Sequence, residues 1–308
     1  MKKIFFFCFI LIFSLTLLCS CSVSETTAGC NFEDDLGREV TVSAYGKTAV
    51  LLGSFADLWV LAGGTLCAAA DDAWEDFDID IPDNAVNLGA TENLSLEKLI
   101  SAQPEFVIAS TKRKQHIEWM EILESSGITV AYFDVDDFDD YLRMLDICTD
   151  ITGRKDLYRK NGLDIKAEID SVIQMAVGDG ESRTYLLLRA SASYIRAKKS
   201  EGTVLGEMLG NLGWTNIADS EEGILENLNI ESIVSKNPDR IFIVQAGDDY
   251  DGMKKAVESM LRENPVWNEI DAVKNGRIHY MDKKLYNFKP NARWGEAYDK
   301  LEKILTEK

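Results

Sequence analysis

Short apolar runs alternate with longer amphipathic stretches along most of the chain. Residues 36–152 contain four such runs, "KTAVLL", "TLCAAA", "EFVIAS" and "ITVAYFDV", and amphipathic segments such as "GSFADLWVLAGG" and "QHIEWMEILESSG" lie between or beside them. The apolar runs are too short for exposed helices and are typical of strands buried in a parallel sheet. Regular alternation of strands and helices predicts a mostly parallel sheet with helices on both faces.

One phrase of this pattern occurs twice. "LSLEKLISAQPEFVIAS", residues 94–110, aligns without a gap with "LNIESIVSKNPDRIFIVQA", residues 228–246. In both copies a capping residue, Ser95 or Asn229, precedes a short helix that a proline ends, and an apolar run follows. Each copy therefore predicts a helix, a stop and a buried strand, and the repeat suggests two similar α/β lobes.

The segment between the two halves has a helical pattern. Apolar residues from Arg154 to Met175 follow helical spacing with one interruption at Gly162, and a single helix of this length would extend ~33 Å. The alternative is two shorter helices broken at Asn161 and Gly162. The predicted fold is thus α/β, with two similar Rossmann-like lobes of mostly parallel sheets joined by a single long helix. We assign residues 36–152 to the N-terminal lobe, 153–178 to the connecting helix and 179–308 to the C-terminal lobe.

The chain begins with two lysines and a long apolar run, "MKKIFFFCFILIFSLTLLCSC", which predicts a signal peptide over residues 1–20. A membrane-spanning helix is the rival, but the run is shorter than the ~20 residues that a bilayer requires. "LCSC", residues 18–21, resembles a bacterial lipobox, so we expect a lipid on Cys21 and a flexible tether over residues 21–35. The alternative is an ordinary signal peptide in which this cysteine is incidental.

Charge and cysteines narrow the class of protein. The chain has 33 basic and 52 acidic residues, a formal charge of −19, and removing residues 1–20 with Lys2 and Lys3 makes it −21. A surface of this sign repels nucleic acid and anionic lipids. Cys30, Cys67 and Cys148 show no regular spacing, so we expect no disulfide framework, and the last two are interpreted as small buried apolar residues.

The usual sequence signatures of catalysis and of bare-metal binding are missing. The chain contains no G-x-S-x-G, G-x-x-x-x-G-K, G-x-G-x-x-G or C-x-x-C motif. We therefore expect that the protein is not an enzyme. Its only histidines are His116 and His279, and we place them in different lobes. Because carriers of free zinc or manganese present several imidazoles and carboxylates together, no metal site of the protein's own is predicted. His116 is interpreted as a surface or capping residue, with ligation of a chelated iron as the alternative, and His279 is interpreted as packed.

Positive side chains cluster where predicted strands end, although the chain is acidic overall. Ligands of open α/β sheets bind beyond the carboxyl ends of the strands, so these residues are candidates for one cleft. The basic candidates are Lys112, Arg113, Arg189, Arg196, Lys198, Lys283, Lys284 and Lys289. The aromatic candidates in the same loops are Trp74, Tyr194, Tyr286 and Phe288. We expect about half of the basic residues to be only solvated surface charges. Together they indicate an anionic ligand with some ring surface.

Several of these features occur in the order of a known family. The lipobox, the opening "DDLGREVTV", the repeated phrase, the connector, "NPVWNEIDAVKNGRIHYM" and the closing helix "NARWGEAYDKLEKIL" resemble the iron-siderophore, heme and cobalamin binding proteins of bacterial ABC importers. The resemblance covers nearly all of the chain after the signal peptide. It implies two lobes joined by a long helix, a ligand in a shallow cleft between them, and small opening motions.

The same resemblance implies a function and partners. It implies a lipid-anchored extracytoplasmic monomer that captures a metal chelate and delivers it to an ABC permease with its ATPase subunits. Glu97 and Glu231 match the positions where each lobe presents a glutamate to permease arginines. A ferric siderophore is the expected ligand, with heme or cobalamin as alternatives and no resident cofactor; if the ligand is heme, Tyr194 and Tyr286 become candidate iron ligands. An extracellular enzyme or sensor on the same scaffold is the alternative of a different class.

We predict that Cys21→Ser releases the protein from membranes, because the thiol that would carry the lipid is removed. Cell fractionation followed by immunoblotting measures the membrane-bound share, and Cys30→Ser is the matched control. Firm membrane association of the Cys21→Ser variant would contradict lipidation at this residue.

Overall fold

The computed structural model describes residues 29–176 and 183–307, and its first large sheet has five parallel strands. The predicted signal peptide, Cys21 and the first part of the predicted tether lie outside these residues. The strand order is β5-β4-β3-β6-β7, with bounds β3 Thr48–Val50, β4 Leu66–Ala69, β5 Val86–Asn87, β6 Phe106–Ser110 and β7 Thr129–Phe133. The accompanying helices are α1 Gly53–Leu61, α2 Asp72–Glu75, α3 Leu96–Ser101, α4 Lys114–Glu118, α5 Met120–Ser125 and α6 Phe138–Thr152.

An antiparallel hairpin precedes this sheet, formed by β1 Cys30–Glu33 and β2 Glu39–Val42. The buried carboxylate of Asp34 stabilises the turn between β1 and β2. It accepts hydrogen bonds from the Arg38 side chain and from the backbone N–H of Tyr132 in β7. β1 lies inside the segment that the sequence analysis assigned to a flexible tether. That boundary at residue 35 is wrong for Cys30–Glu33, because the strand pairs and packs on the lobe.

The second lobe repeats this architecture with one antiparallel addition. Parallel strands follow the order β10-β8-β11-β12, and β9 pairs antiparallel with β8. The bounds are β8 Thr184–Ala190, β9 Ile195–Ala197, β10 Thr215–Asn216, β11 Arg240–Gln245 and β12 Ile278–Met281. The helices are α9 Val204–Asn211, α10 Glu222–Asn227, α11 Ile230–Lys236, α12 Tyr250–Glu263, α13 Asp271–Lys274, α14 Lys283–Tyr286 and α15 Trp294–Thr306. The α/β fold with two similar lobes is therefore confirmed.

The repeated phrase forms the same local structure in both lobes. Ser95 caps α3 by accepting a hydrogen bond from Lys98 N at 3.3 Å, and Asn229 caps α11 by accepting one from Ser232 N at 3.1 Å. The strand that follows, β6 or β11, is buried along its whole length. The predicted sequence of helix, stop and strand is confirmed in both copies.

The repeat also contains two features that the sequence pattern did not reveal. Gln103 and Asn237 both have positive φ, +50° and +45°, so each helix ends in a left-handed residue before its proline. The acidic residue after each proline links its strand to the neighbouring strand of the sheet. Glu105 accepts a hydrogen bond from Lys47 N at 3.1 Å, beside β3, and Asp239 accepts one from Thr184 N at 2.8 Å, in β8.

The connector is a continuous helical segment with a π-helical turn in its middle. α7 Lys155–Tyr158 leads into the π turn Arg159–Leu163, and α8 Asp164–Ala176 follows without a break. Asn161 and Gly162, where the alternative placed a break, lie inside the π turn. The freed carbonyl of Asn161 accepts a hydrogen bond from the Tyr141 hydroxyl at 2.8 Å.

One apolar core runs through both lobes. Buried residues of the first sheet, the second sheet and the helices α6, α8 and α15 form a single cluster. Trp294 at the start of α15 is fully buried, and its ring centroid lies 5.9 Å from that of Phe138 in α6. Nearby, the buried Asn291 donates hydrogen bonds to Ser54 O at 2.7 Å and Asp57 Oδ2 at 2.8 Å, both in α1. These contacts fix the two lobes relative to each other.

The described residues include no helix that is both long and apolar enough to cross a membrane. Among them, Cys30, Cys67 and Cys148 are free thiols, and Cys148 is fully buried in the shared core. Cys67 in β4 is half-buried.

Candidate functional site

A cleft of about 660 Å³ lies between the lobes. Every loop that lines it follows the carboxyl end of a strand, in both sheets. In the N-terminal lobe Ser54 follows β3 and Lys112 follows β6, and in the C-terminal lobe Arg189 lies in the last part of β8 and Asp248 follows β11. In each sheet the first strand of the lobe neighbours the strand of the repeated phrase, β3 beside β6 and β8 beside β11. The chain reverses its direction of strand addition there, which is where open α/β sheets bind ligands.

The N-terminal wall of the cleft is acidic. The loop "DDAWEDFDIDIPDN" after β4 contributes four carboxylates through and around α2: Asp71, Asp72, Glu75 and Asp76. Glu92 and Asp134 from other loops also line the wall. The basic residues that line the cleft therefore face an acidic wall.

Asp72 is the most buried carboxylate of this wall. Its Oδ1 accepts a hydrogen bond from Gly53 N at 2.9 Å, and a Cβ on Gly53 would lie 2.8 Å from the Asp72 side chain. Burial raises the pKa of Asp72 to about 6, and the nearby charges of Asp71 and Asp76 act in the same direction.

Two lysines of the cleft share one acidic pair. Lys112 forms ion pairs with Asp136 and, at 3.2 Å, with Asp134, while Lys289 of the other lobe lies 3.5 Å from Asp136. Burial lowers the pKa of the Lys289 ammonium, although Asp136 acts in the opposite direction. These two predicted ligand-binding residues are therefore already largely neutralised by the protein itself.

A second set of contacts bridges the lobes beside α2. Lys283 lies 3.1 Å from Asp76 of the N-terminal lobe and 2.5 Å from Asp248, and Lys284 donates to Asp76 O at 2.6 Å. The rings of Phe77 and Phe288 approach to 6.0 Å across the same gap. Lys284, predicted to bind ligand, is thus engaged in holding the lobes together, and it does not line the cleft.

Arg113 and Arg189 differ from the lysines. Both line the cleft, one from each lobe, and within the described residues neither forms a salt bridge. The Nε atom of Arg189 is buried and has no hydrogen-bond partner. These two guanidinium groups are the cleft cations with donors left for a ligand.

The remaining candidates lie away from the main cleft. Trp74 is exposed on α2 and does not line it. Tyr194, also exposed, lies under the guanidinium of Arg196 at 5.4 Å, at the tip of the β8–β9 hairpin. Lys198 lines a smaller side pocket next to the cleft.

Tyr286 lines the same side pocket, but its ring is almost fully buried. Its hydroxyl donates to Ala297 O at 3.0 Å, and burial raises its pKa. The expectation of a Tyr286 stacking wall or phenolate ligand has no support in this geometry.

Neither histidine is exposed on the surface. His116 is fully buried, and its Nδ1 accepts a hydrogen bond from Ser110 N at 3.0 Å, so the expectation of a surface position is wrong. His279 stacks on Phe242 and lies 3.0 Å from Arg240 Nη1, which agrees with a packed role. Burial lowers the pKa of each to about 4. Across residues 29–176 and 183–307, no group of three or more His, Cys, Asp or Glu side chains could hold a metal ion.

Glu97 and Glu231 are both exposed, in the first turns of α3 and α11. They occupy equivalent places in the two lobes because the helices that carry them belong to the repeated phrase. Neither lines the cleft.

Two lobes on one shared core, with a cleft between the carboxyl ends of their strands, define a two-lobed substrate-binding protein. A family model described as "Periplasmic binding protein" matches residues 49–285. The chain belongs to this family, whose members bind solutes and are not enzymes.

Individual relatives agree with this assignment. The chain is 24% identical over 295 residues to the Fe(3+)-citrate-binding protein of Bacillus subtilis, covering 89% of this chain and 88% of that one. Staphylococcus aureus SirA complexed with staphyloferrin B matches with a TM-score of 0.69 and 18% identity, over 89% of this chain and 98% of that chain. S. aureus IsdE complexed with heme matches with a TM-score of 0.71 and 13% identity, over 86% and 100%.

We predict that Asp72→Asn stabilises the protein at pH 7.5 by about 1 kcal/mol, since a buried carboxylate with a raised pKa disfavours the ionised folded state. The folded state binds the Asp72 proton more tightly than the unfolded state. The contribution of Asp72 to the free energy of unfolding of the wild-type protein therefore falls as pH rises from about 4 to about 6. The difference between variant and wild type should therefore vanish near pH 4. Urea unfolding followed by circular dichroism at both pH values measures it, with Asp78→Asn, an exposed site, as control. A difference that is constant with pH would contradict the prediction.

Proposed function

We propose that this protein captures a ferric chelate outside the cell membrane and delivers it to an ABC permease. This proposal rests mainly on the cleft of this periplasmic binding protein. Each lobe contributes to it one arginine, Arg113 or Arg189, that forms no salt bridge within the described residues. A volume of about 660 Å³ lies within the ~300–1,000 Å³ range of small-molecule sites. Guanidinium groups bind carboxylate and catecholate oxygens through paired hydrogen bonds, and such oxygens surround iron in many chelates.

A ferric siderophore or ferric citrate is the first candidate, because relatives of this chain include a ferric-citrate-binding protein and one that binds staphyloferrin B. Heme is the second candidate, supported by the likeness to IsdE, and cobalamin is a third. Heme is less favoured because Tyr286 is buried and Tyr194 lies outside the cleft, so neither candidate phenolate faces the ligand. The protein acts as a monomer, anchored through a lipid on Cys21.

The binding function is tested by titrating the purified protein with ferric citrate, a panel of ferric siderophores, heme and cobalamin, followed by tryptophan fluorescence. We expect a ferric chelate to bind and the double variant Arg113→Ala/Arg189→Ala to bind it at least about tenfold more weakly, since each loses a charged hydrogen bond. Lys254→Ala/Lys255→Ala, which removes two exposed cations of α12, is the matched control. Equal affinities of the two double variants would show that the cleft is not the binding site.

Delivery is tested at Glu97 and Glu231. We expect Glu97→Lys/Glu231→Lys to reduce iron uptake by cells strongly while leaving the chelate affinity of the purified protein unchanged, since both residues are exposed and neither lines the cleft. The loss should lie in complex formation with the permease and should depend on salt, as expected for surface charges. Glu121→Lys/Glu258→Lys, two exposed helix glutamates outside the repeated phrase, is the control. Normal uptake by the Glu97→Lys/Glu231→Lys variant would contradict a role in docking and would leave these glutamates only the role of stabilising the first turns of their helices.

A further inference from the structure

A small side pocket of about 130 Å³ opens next to the cleft in the C-terminal lobe. It shares Arg189, Asn287 and Lys289 with the cleft, so a ligand in the cleft can extend into it. Its floor is apolar, formed by Leu187, Val204, Leu205 and Val244. Because one water occupies ~30 Å³ in the liquid, this volume accommodates one short arm of a ligand and not a whole chelate.

The charge of the side pocket is opposite to that of the cleft wall. Three cations line it, Arg189, Lys198 and Lys289, and none of the described residues around it is acidic. Asp136 balances Lys289 from outside the pocket. Within the described part of the chain Lys198 has no carboxylate at salt-bridge distance, and the Nε of Arg189 is buried without a partner. The pocket therefore holds two cations whose charge the protein does not neutralise.

The β8–β9 pairing places a further cation, Arg196, opposite Arg189, although Arg196 does not itself line the pocket. Arg189 and Arg196 are directly opposite each other in the antiparallel register, so both side chains lie on the same face of the hairpin. Like charges placed directly opposite destabilise such a pair. An anion bound between them would relieve that repulsion.

We propose that the side pocket is an anion subsite that receives a carboxylate-bearing arm of the bound chelate, while the iron-bearing body lies in the cleft against the acidic wall. The substrate class is thus a ferric chelate with a neutral or cationic body and one free anionic arm. This inference rests on the proposed function and narrows it. Lys198 and Arg189 bind the arm. Because the carboxylates of the N-terminal wall disfavour a chelate whose whole surface is anionic, this inference favours a siderophore over ferric citrate among the proposed ligands.

The test compares two ferric trihydroxamates that differ only at one end, one carrying a carboxylate arm and the other an ammonium arm. We expect wild type to bind the carboxylate-armed chelate at least about tenfold more tightly, because a charge-assisted hydrogen bond to the arm is gained. Lys198→Ala should remove most of this preference, chiefly by weakening the binding of the carboxylate-armed chelate. Lys255→Ala, which removes an exposed cation of α12, should retain the full preference. Equal affinity of wild type for both chelates, or a preference for the ammonium arm, would overturn the proposal.

A second measurement separates failure of the subsite from failure of the iron function. Iron-free citrate is titrated at constant ionic strength while the thermal unfolding temperature is recorded. Wild type and Lys255→Ala should be stabilised by citrate, and Lys198→Ala should not be. If no ferric chelate binds but citrate raises the unfolding temperature only when Lys198 is present, the anion subsite is supported and the proposed iron function is contradicted. If chelates bind without arm preference and citrate has no Lys198-dependent effect, the iron function stands and the subsite is wrong.

Discussion

The shared apolar core is the constraint on which the rest of this structure depends. Each lobe has a smaller buried cluster of its own, but the largest buried cluster includes residues of both sheets and of the helices between them. Trp294 and Phe138 join the lobes within it, and the buried amide of Asn291 adds polar contacts to α1. Close-packed interiors resist deformation, so a large rotation of one lobe would have to open this core. The cleft walls are consequently held at a nearly constant separation.

With the walls held in place, charge distribution decides what the cleft can bind. Lys112, Lys283 and Lys289 face carboxylates of the protein at 3.5 Å or less, so these lysines contribute little net positive charge to a ligand. Arginines remain uncommitted, and their planar donors impose direction as well as charge. Specificity therefore depends on a few oriented donors against an acidic background, and not on a broad basic surface.

The sequence predicted the fold well because the fold depends on local signals. Helix caps at Ser95 and Asn229, strand hydrophobicity and the repeat each act within a few residues, and together they locate the cleft at the strand ends. Local signals could not predict which charged and polar side chains already have a partner within the protein. That Lys284 contacts Asp76, and that Tyr286 contacts Ala297, depends on how distant segments pack. The acidic loop after β4 could have been recognised as a cleft wall, since it too follows a strand of the first sheet.

The π turn in the connector has a consequence for the phase of the helix. A turn with one extra residue rotates everything that follows by ~100° about the helix axis relative to a regular α-helix. Ile165 and Ile169 are buried in the shared core on the far side of this turn, in the helix that packs on α15. The π turn at residues 159–163 thus rotates α8 so that its apolar face packs on the second lobe, while α7 before the turn still packs on the first lobe. The length of this segment, more than its composition, keeps both alignments, so homologous connectors should tolerate substitution here better than the loss of a single residue.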